Sequence, residues 1–344
     1  MNSFGRLFRV HIFGESHGES VGICIDGCPA GLPLKVEDFL ADIERRKGGK
    51  QKGTTPRQEA DTPIFKSGIF NDTTTGAPIT IIFENNNTRS GDYQKQRSVP
   101  RPGHADFVAH QKFGGFEDFR GGGHFSGRLT VCLVAAGVIA KKLLASSSHR
   151  ELKSQTPGIT VKADLLEIGG ETDLEKGLQK AINAKDSIGG IVECRVSGLP
   201  LGLGEPFFDS AEALLAHAVM SIPAIRGIEF GTGFAAARMF GSEHNDAIVD
   251  MEGKTRSNHA GGIVGGISNG NELVFRIAVK PTSSTPKIQE TLNWETGAIE
   301  SFSVKGRHDL CIALRVPVVL EAVTAFVLAD LMMLSQKMPR VLNT

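Results

Sequence analysis

The sequence lacks an excess of charge of either sign. It contains 38 Lys+Arg and 38 Asp+Glu in 344 residues, so its formal net charge is zero. A chain without a strong basic or acidic field has no global signature of nucleic-acid or membrane binding. Any capacity to bind anions must therefore come from local clusters of cations, and we expect neither nucleic acid nor membrane as a partner.

Cysteine is scarce and odd in number. The five cysteines are scattered and stand mostly in apolar strings: Cys24, Cys28, Cys132, Cys194 and Cys311. This pattern predicts free buried thiols in a reducing compartment and not a disulfide framework. Cys24 and Cys28 have a loose metal-like spacing, but no second Cys/His pair completes a zinc pattern. We expect no metal site.

Targeting and membrane-spanning segments are also missing from the pattern. The first six residues contain no apolar region of the kind found in a signal peptide. The longest apolar stretches, 129–140 and 316–334, are too short or are interrupted by Glu321 and Asp330. The expectation is a soluble, cytoplasmic protein.

Glycine, in contrast, is abundant. There are 41 glycines, about one residue in eight where ~7% is usual. Glycine permits tight turns and close approach of the backbone to a ligand. The surplus therefore predicts a chain rich in turns or in backbone-lined ligand contacts.

The chain also contains a faint internal repeat. The strand-like segments 21–33 and 190–200 both end in Gly-Leu-Pro, both precede a helical pattern, and lie 167 residues apart. The second helix opens with Asp209 and Glu212 at capping-box spacing. This predicts one domain, 1–344, built from two similar halves of about 1–165 and 166–344 related by a pseudo-twofold, unless two strand-turn-helix units coincide by chance.

The remaining pattern favours an α+β fold. Strands are predicted at 79–83, 158–161 and 273–279, and helices at 129–144, 173–184 and 317–336. They do not alternate as in a parallel sheet, so the α+β class is expected. The Arg-, Gly-, His- and Asn-rich stretch 84–128 has little apolar periodicity, which is typical of long functional loops.

Cations cluster between Glu44 and Glu59. This segment contains Arg45, Arg46, Lys47, Lys50, Lys52 and Arg57, with three glycines among them. Glycines let a loop fold over a ligand, and the absence of interleaved aromatic residues argues against nucleic acid. We expect a mobile basic loop that closes over a small polyanion. The alternative is a plain solvated loop.

A proline-stiffened turn displays Arg101 and His104 together. Arginine can grip a carboxylate or phosphate through paired hydrogen bonds. A neighbouring histidine can supply a proton near neutral pH, although a lone histidine is more often structural. The residues alone leave both interpretations of His104 open.

Two further segments could bind anions. Arg120-Gly-Gly-Gly-His-Phe-Ser-Gly-Arg128 runs into an apolar helix, and a glycine-rich loop at a helix N-terminus is a ready anion site. Lys280-Pro-Thr-Ser-Ser284 follows a clean strand and offers an ammonium and hydroxyls to a phosphomonoester. Upstream, the glycines around Gly265 would let the backbone approach a flat or bulky group.

One motif favours a different function. Gly231-Thr-Gly233-Phe-Ala-Ala236 fits the dinucleotide fingerprint, with Asp250 at about the distance of the ribose-binding acid. However, Gly241 ends the possible helix early, and no second strand closes a βαβ unit. An NAD-type oxidoreductase is therefore the second hypothesis.

Taken in order, the motifs resemble the chorismate synthase family over about residues 4–335. The matching blocks are Gly14-Glu15-Ser16-His17-Gly18, Asp26-Gly27-Cys28-Pro29, Arg101-Pro102-Gly103-His104-Ala105-Asp106, 123–130, 221–224, 258–262, 280–284 and 305–309. The resemblance implies a β-α-β sandwich with pseudo-twofold symmetry, built of antiparallel sheets with helices outside and assembled as a homotetramer.

The resemblance also implies a reaction. It is the 1,4-anti elimination of phosphate from 5-enolpyruvylshikimate-3-phosphate to give chorismate, the last common step of the shikimate pathway to aromatic amino acids. The enzyme would be a carbon–oxygen lyase acting on phosphates and would require reduced FMN without net oxidation, with NADP as an associated nucleotide and an external flavin reductant. A small molecule with two carboxylates and a phosphate explains local cations in a neutral chain.

Site residues follow from the resemblance position by position. His17 would be the proton partner of reduced flavin, His104 the proton donor to the leaving phosphate, and Asp309 the base acting with the flavin. The substrate-binding residues would be Ser16, Arg46, Lys52, Arg101, Arg128 and Arg307. The FMN contacts would be His124, Phe125, Ser126, Pro223, Ala224, Gly265, Lys280, Pro281, Thr282, Ser283, Ser284 and Arg307. A non-enzymatic flavin- or anion-binding protein would leave the joint presence of the two histidines and the aspartate unexplained.

The chain departs from the family pattern at two places. His124 and Phe125 replace the usual Arg-Ser before Ser126, so one flavin contact would be aromatic instead of polar. Lys52 stands where arginine is usual, which replaces a planar fork by a point charge.

Overall fold

The computed structural model describes residues 2–49, 51–55, 59–87, 97–146, 158–304 and 308–342. Its strands, in chain order, are β1 Ser3–Phe4, β2 Arg9–Gly14, β3 Ser20–Asp26, β4 Ile64–Ser67, β5 Ile69–Phe70, β6 Thr73–Thr74, β7 Ile79–Glu84, β8 Thr160–Ile168, β9 Gly190–Ser197, β10 Ile225–Phe230, β11 Ile263–Val264, β12 Ile267–Ser268, β13 Leu273–Val279, β14 Gln289–Leu292 and β15 Ile299–Phe302. Its helices are α1 Glu37–Arg46, α2 Asp106–Phe113, α3 Thr130–Ser146, α4 Leu174–Ala184, α5 Ala211–Val219, α6 Gly241–His244 and α7 Val316–Leu334.

Two antiparallel sheets frame the molecule. The first has the order β1-β2-β3-β7-β4 and the second has the order β10-β13-β9-β8. Strand β13 shows the alternation expected of a half-buried strand, with Leu273, Phe275 and Ile277 facing the core. The predicted α+β class with antiparallel sheets is confirmed.

The two halves share one topology. In the first, the chain runs β2-β3-α1-β4-β7-α3, and in the second it runs β8-β9-α5-β10-β13-α7. Both sheets place their four equivalent strands in the same spatial order. The second unit begins at Thr160, so the expected division near residue 165 falls inside β8. Most of the buried apolar residues of both units form one continuous core, and Val99, Phe302 and Val304 form a small second cluster.

The two longest helices form an inner layer. Helix α3 packs on the first sheet, α7 packs on the second, and the two helices pack on each other. At their contact, a Cβ on Gly137 would lie 2.2 Å from the Cβ of Ala322. Because both helices are apolar on nearly every side, they lie between the sheets, whereas the amphipathic α4 keeps the expected outer position.

The same two helices are long and apolar enough to cross a membrane by composition alone. In the stretches Arg120–Ser146 and Ile312–Leu334, however, 72% and 78% of the most apolar window is buried inside the protein. Their hydrophobicity is therefore accounted for by the core.

Two local expectations are wrong. Helix α5 is capped by Ser210, whose Oγ accepts a hydrogen bond from the Ala213 N–H at 3.1 Å. Asp209 instead forms an ion pair with Arg6. The capping residue thus lies one position after the one predicted.

The dinucleotide-binding hypothesis is also wrong. Strand β10, which precedes the glycine motif, pairs antiparallel with β13. The segment Gly233–Arg238 is a run of 3-10 turns and not the long helix that a βαβ unit requires. The glycines there instead allow close backbone contact, because a Cβ on Gly231 would lie 2.0 Å from the His259 carbonyl oxygen.

Candidate active site

A cavity of about 750 Å³ collects most of the residues expected to carry chemistry. Among the described residues that line it, seven are Lys or Arg and three are Asp or Glu. Five of the ten histidines also line it: His17, His104, His124, His217 and His308. A strongly cationic, histidine-rich cavity in a chain of zero net charge is suited to a small anionic ligand.

The turn at Arg101 is locked by an aspartate. Arg101 donates to Asp106 through Nε at 2.7 Å and through Nη2 at 2.8 Å, and its Nη1 donates to Ser284 Oγ at 3.2 Å. Burial disfavours the charged form of Asp106, but the hydrogen bonds from Arg101 and His104 outweigh it and hold the pKa of this carboxyl well below its usual range. The turn is therefore a rigid, ionised unit.

Asp106 also fixes the imidazole of His104. His104 Nδ1 lies 2.6 Å from Asp106 Oδ1. A carboxylate can only accept, so Nδ1 carries the hydrogen and donates it, and the 3.0 Å contact of Nδ1 with Arg101 Nη2 cannot be a second hydrogen bond. The carboxylate thus leaves Nε2 as the nitrogen that exchanges a proton.

Two buried arginines share one carboxylate. Arg46 donates to Asp61 Oδ2 at 3.2 Å, and Arg128 donates to Asp61 Oδ1. Burial, reinforced by repulsion from Arg315, lowers the pKa of the Arg46 guanidinium to about 9 against the attraction of Asp61. One positive charge in this pair has no counter-charge from Asp61, which favours an anion in the adjoining cavity.

The segment 280–284 is bound to the Arg101 turn. Lys280 Nζ donates to the Gly103 carbonyl at 3.0 Å and to Ser283 Oγ at 2.9 Å. Burial, together with the charge of Arg226, lowers the pKa of the Lys280 ammonium. The ammonium and several hydroxyls therefore meet at the cavity wall, already joined by hydrogen bonds within the protein.

Asp309 also lines the cavity and is held by several hydrogen bonds. Its carboxylate accepts from the Thr55 N–H at 2.9 Å and from Arg315 Nη1 at 3.0 Å. The Thr282 hydroxyl donates to the Asp309 carbonyl at 2.7 Å. These contacts connect the loop before β4, the segment after β13 and the start of α7.

Most of the expected flavin-contacting residues line the same cavity. His124, Phe125, Ser126, Pro223, Ala224 and residues 280–284 are among them. His124 Nδ1 lies 2.8 Å from the Gly14 carbonyl, so it ties the glycine-rich loop to β2. Ala224 has a φ of 75°, a strained value for a residue with a side chain.

Three expected residues stand apart from the cavity, and a fourth is not described by the structure. Ser16 is fully buried beside His17 without lining the cavity. Lys52 contacts Gln179 at 3.2 Å on the surface, and Gly265 is exposed in the turn between β11 and β12. Arg307 lies outside the residues that the structure describes.

The described part of segment 44–59 matches the expected basic loop only in part, because residues 44–46 lie in a helix while residues 47–49 and 51–55 form a loop. The mobility of this loop stays a prediction. Arg45 and Arg46 belong to helix α1. Arg45 pairs with Glu321 at 2.7 Å, and Lys47 pairs with Glu44 at 3.3 Å. Because these cations have partners, mutual repulsion does not keep them apart. Lys50 and Arg57 lie outside the described residues.

Sequence reasoning missed several residues of the site. Asp61 and Asp106 neutralise the expected arginines, and Arg315 holds Asp309. His308 also lines the cavity, and within the described chain its buried Nε2 has no hydrogen-bond partner. Burial, with repulsion from Arg101, lowers the pKa of His308 and favours its neutral form. The only signal in the sequence was its position next to Asp309.

Comparisons with known proteins agree with this site. The family model described as chorismate synthase matches residues 8–333. The chain is 72% identical over 341 residues to a chorismate synthase from Chitinophaga pinensis, covering 99% of both chains, and 44% identical to one from Dehalococcoides mccartyi, again covering 99% of each. A crystal structure of a chorismate synthase, 25% identical, matches with a TM-score of 0.71 and covers 96% of this chain and 93% of its own. The chain therefore belongs to the chorismate synthase family.

Proposed function

We propose that this protein converts 5-enolpyruvylshikimate-3-phosphate to chorismate and phosphate by a 1,4-anti elimination that requires reduced FMN. The observation that carries the proposal is the cavity in which seven cations face three carboxylates while the whole chain is neutral. The proposed substrate bears two carboxylates and a phosphate, so its charge complements that excess.

The cavity fits FMN as well as the substrate. One part of its wall is apolar and includes Leu133, Val319 and Phe326, which suits a flavin ring. Another part carries Lys280 and Arg226, which suit a phosphate. Ser126, Ala224 and residues 280–284 would hold the cofactor. When bound, reduced FMN would supply electron density to the allylic C–O bond and take up the substrate proton.

His104 is proposed to protonate the leaving phosphate. The allylic C–O bond breaks, phosphate departs with the bonding electrons, and the Nε2 proton of His104 neutralises it. Asp106 supports this step because its carboxylate accepts from Nδ1 and stabilises the imidazolium before transfer. Arg101 lies beside His104 and would orient the anion.

The other two proposed proton-transfer residues act near the flavin. His17 would hold a proton against the reduced cofactor, and Asp309 would act together with the flavin as the base for the proton released from the substrate. Arg315 holds the Asp309 carboxylate at 3.0 Å and so fixes its direction. No net oxidation occurs, because the electrons of the broken C–H bond form the new double bond.

The cofactor identity has a direct test. The purified protein is expected to bind FMN, more tightly when the flavin is reduced, because cations such as Lys280 line the cavity. Anaerobic titration followed by the flavin absorbance measures both affinities. Equal affinity for both redox states, or hydride transfer from NADH to a keto acid, would contradict the proposal. The reductant for FMN is proposed to be external to this chain.

A homotetramer is proposed as the assembled form. Large apolar side chains stand exposed between residues 207 and 251, and each is more than 75% exposed: Phe207, Phe208, Phe234, Phe240 and Met251. These exposed side chains support an association surface, because contact with another subunit would remove them from water. Light scattering should give about four times the chain mass of 36.8 kDa. A mass equal to that of one chain would refute the assembly.

A further inference from the structure

The glycine-rich segment before α3 has an unusual backbone. Gly121, Gly122 and Gly123 follow one another with φ values of 61°, 81° and 52°. Residues with side chains rarely adopt this left-handed conformation, and seldom in succession. The three glycines therefore hold a path that other residues would follow only under strain.

Two of these glycines face the two histidines proposed to transfer protons. A Cβ on Gly121 would lie 2.1 Å from His17 Nδ1 and 2.2 Å from its Cε1. A Cβ on Gly122 would lie 3.2 Å from His104 Cε1 and 3.3 Å from its Nε2. Two adjacent residues of one loop thus lie against different imidazoles, Gly121 against His17 and Gly122 against His104.

The loop has little room to retreat from these contacts. The Ser16 N–H donates to the Gly123 carbonyl at 3.1 Å, and the Gly122 N–H donates to the Phe119 carbonyl at 3.2 Å. A Cβ on Gly123 would lie 2.0 Å from the Asp118 carbonyl oxygen. Because these hydrogen bonds and close contacts hold the loop in place, a side chain added at Gly121 or Gly122 displaces the imidazole that it meets.

We propose that Gly121 and Gly122 are positioning residues, the first for His17 and the second for His104. A side chain at position 121 drives the His17 imidazole out of its place, and one at position 122 presses on His104. The pairing of each glycine with one histidine rests on these contacts alone. Its consequence for turnover rests on the proposed function.

Double-mutant cycles in thermal stability test the pairing without any assay of activity. Gly121→Ala is expected to lower Tm by at least twice the loss caused by Gly170→Ala. Gly170 is a matched control, because its φ is 80° and a Cβ there would meet nothing within 4 Å. Removing the imidazole in His17→Ala should relieve most of the excess loss, whereas His104→Ala should relieve none.

The converse pattern is expected for the neighbouring residue Gly122. Gly122→Ala meets a less severe contact, so it should lower Tm by a smaller excess, which His104→Ala relieves and His17→Ala does not. If Gly121→Ala fails to fold alone, folding of the double variant His17→Ala/Gly121→Ala supports the pairing. The pairing is overturned if the glycine variants lower Tm no more than Gly170→Ala does. It is also overturned if both histidine variants relieve the loss of Tm equally.

Flavin spectra and steady-state kinetics then test whether the positions of His17 and His104 matter for the proposed reaction. Gly121→Ala should alter the spectrum of bound reduced FMN as His17→Ala does. Gly122→Ala should leave that spectrum unchanged and lower kcat by at least about tenfold, part of the ~10²–10⁴-fold that a general acid contributes. If each histidine variant relieves the Tm loss of its own glycine variant but the wild-type protein shows no turnover, the pairing stands and the proposed function is refuted. Full activity in both glycine variants would overturn the positioning role.

Discussion

The variant His104→Ala is expected to lose at least about 100-fold in kcat, the lower figure for a general acid. The spectrum of bound reduced FMN should stay nearly normal, because His104 is fixed by Asp106 and is proposed to act on phosphate. His17→Ala should lose a similar factor and should also change that spectrum, since His17 is proposed to act on the flavin. Steady-state rates and anaerobic flavin spectra separate the two.

Controls exclude trivial causes of this loss. His244→Ala changes a half-buried histidine that is not among the described residues lining the cavity, so its kcat should match that of the wild type. Circular dichroism and native mass must be unchanged in each variant. If folded His104→Ala and His17→Ala both keep near-wild-type turnover, the two histidines are structural and the proposed mechanism is wrong. If the two variants give the same spectrum of bound reduced FMN, the assignment of His17 to the flavin and of His104 to the phosphate is wrong.

Asp61→Asn is expected to destabilise the protein by about 3–5 kcal/mol, because it leaves the buried Arg46 and Arg128 without their shared counter-charge. Asparagine keeps the shape of the side chain and tolerates the positive φ of 50° at this position, so the change isolates the charge. Urea unfolding measures the loss. KM for the substrate should also change, since both arginines line the cavity.

A second aspartate provides the matched control. Asp26 pairs with Arg9 at the surface, where both side chains are more than a third exposed. Asp26→Asn should change the free energy of unfolding by less than about 1 kcal/mol, the usual range for exposed ion pairs. If Asp61→Asn costs no more than Asp26→Asn, the two arginines do not depend on Asp61, and a second buried partner must neutralise them.

Local periodicity predicted much of the fold. The helix expected at 129–144 is α3, the one at 173–184 is α4, and the strand at 273–279 has the bounds of β13. These elements have strong apolar patterns that tertiary packing reinforces. The repeat of Gly-Leu-Pro predicted two similar halves, and its two copies lie between β3 and α1 and between β9 and α5.

The inner layer and the site partners could not be predicted in this way. Helix α7 is apolar apart from the buried Glu321, Thr324 and Asp330, so it has no polar face that indicates the side on which solvent lies. Its place between the sheets therefore depends on long-range packing. Asp61 and Asp106 are ordinary acidic residues in the sequence. Their importance comes from the arginines that the fold brings to them, and Asp61 meets Arg128 across 67 positions of chain.

The central claim is that reduced FMN is required by this protein but not consumed. The most direct measurement is an anaerobic assay in which FMN is reduced once with dithionite, residual reductant is removed, and excess substrate is added while chorismate absorbance and phosphate are followed. The account predicts many molecules of chorismate per FMN, equal release of phosphate, a flavin still reduced at the end, and no product with oxidised FMN. A single turnover per flavin, or equal rates with oxidised FMN, would contradict it.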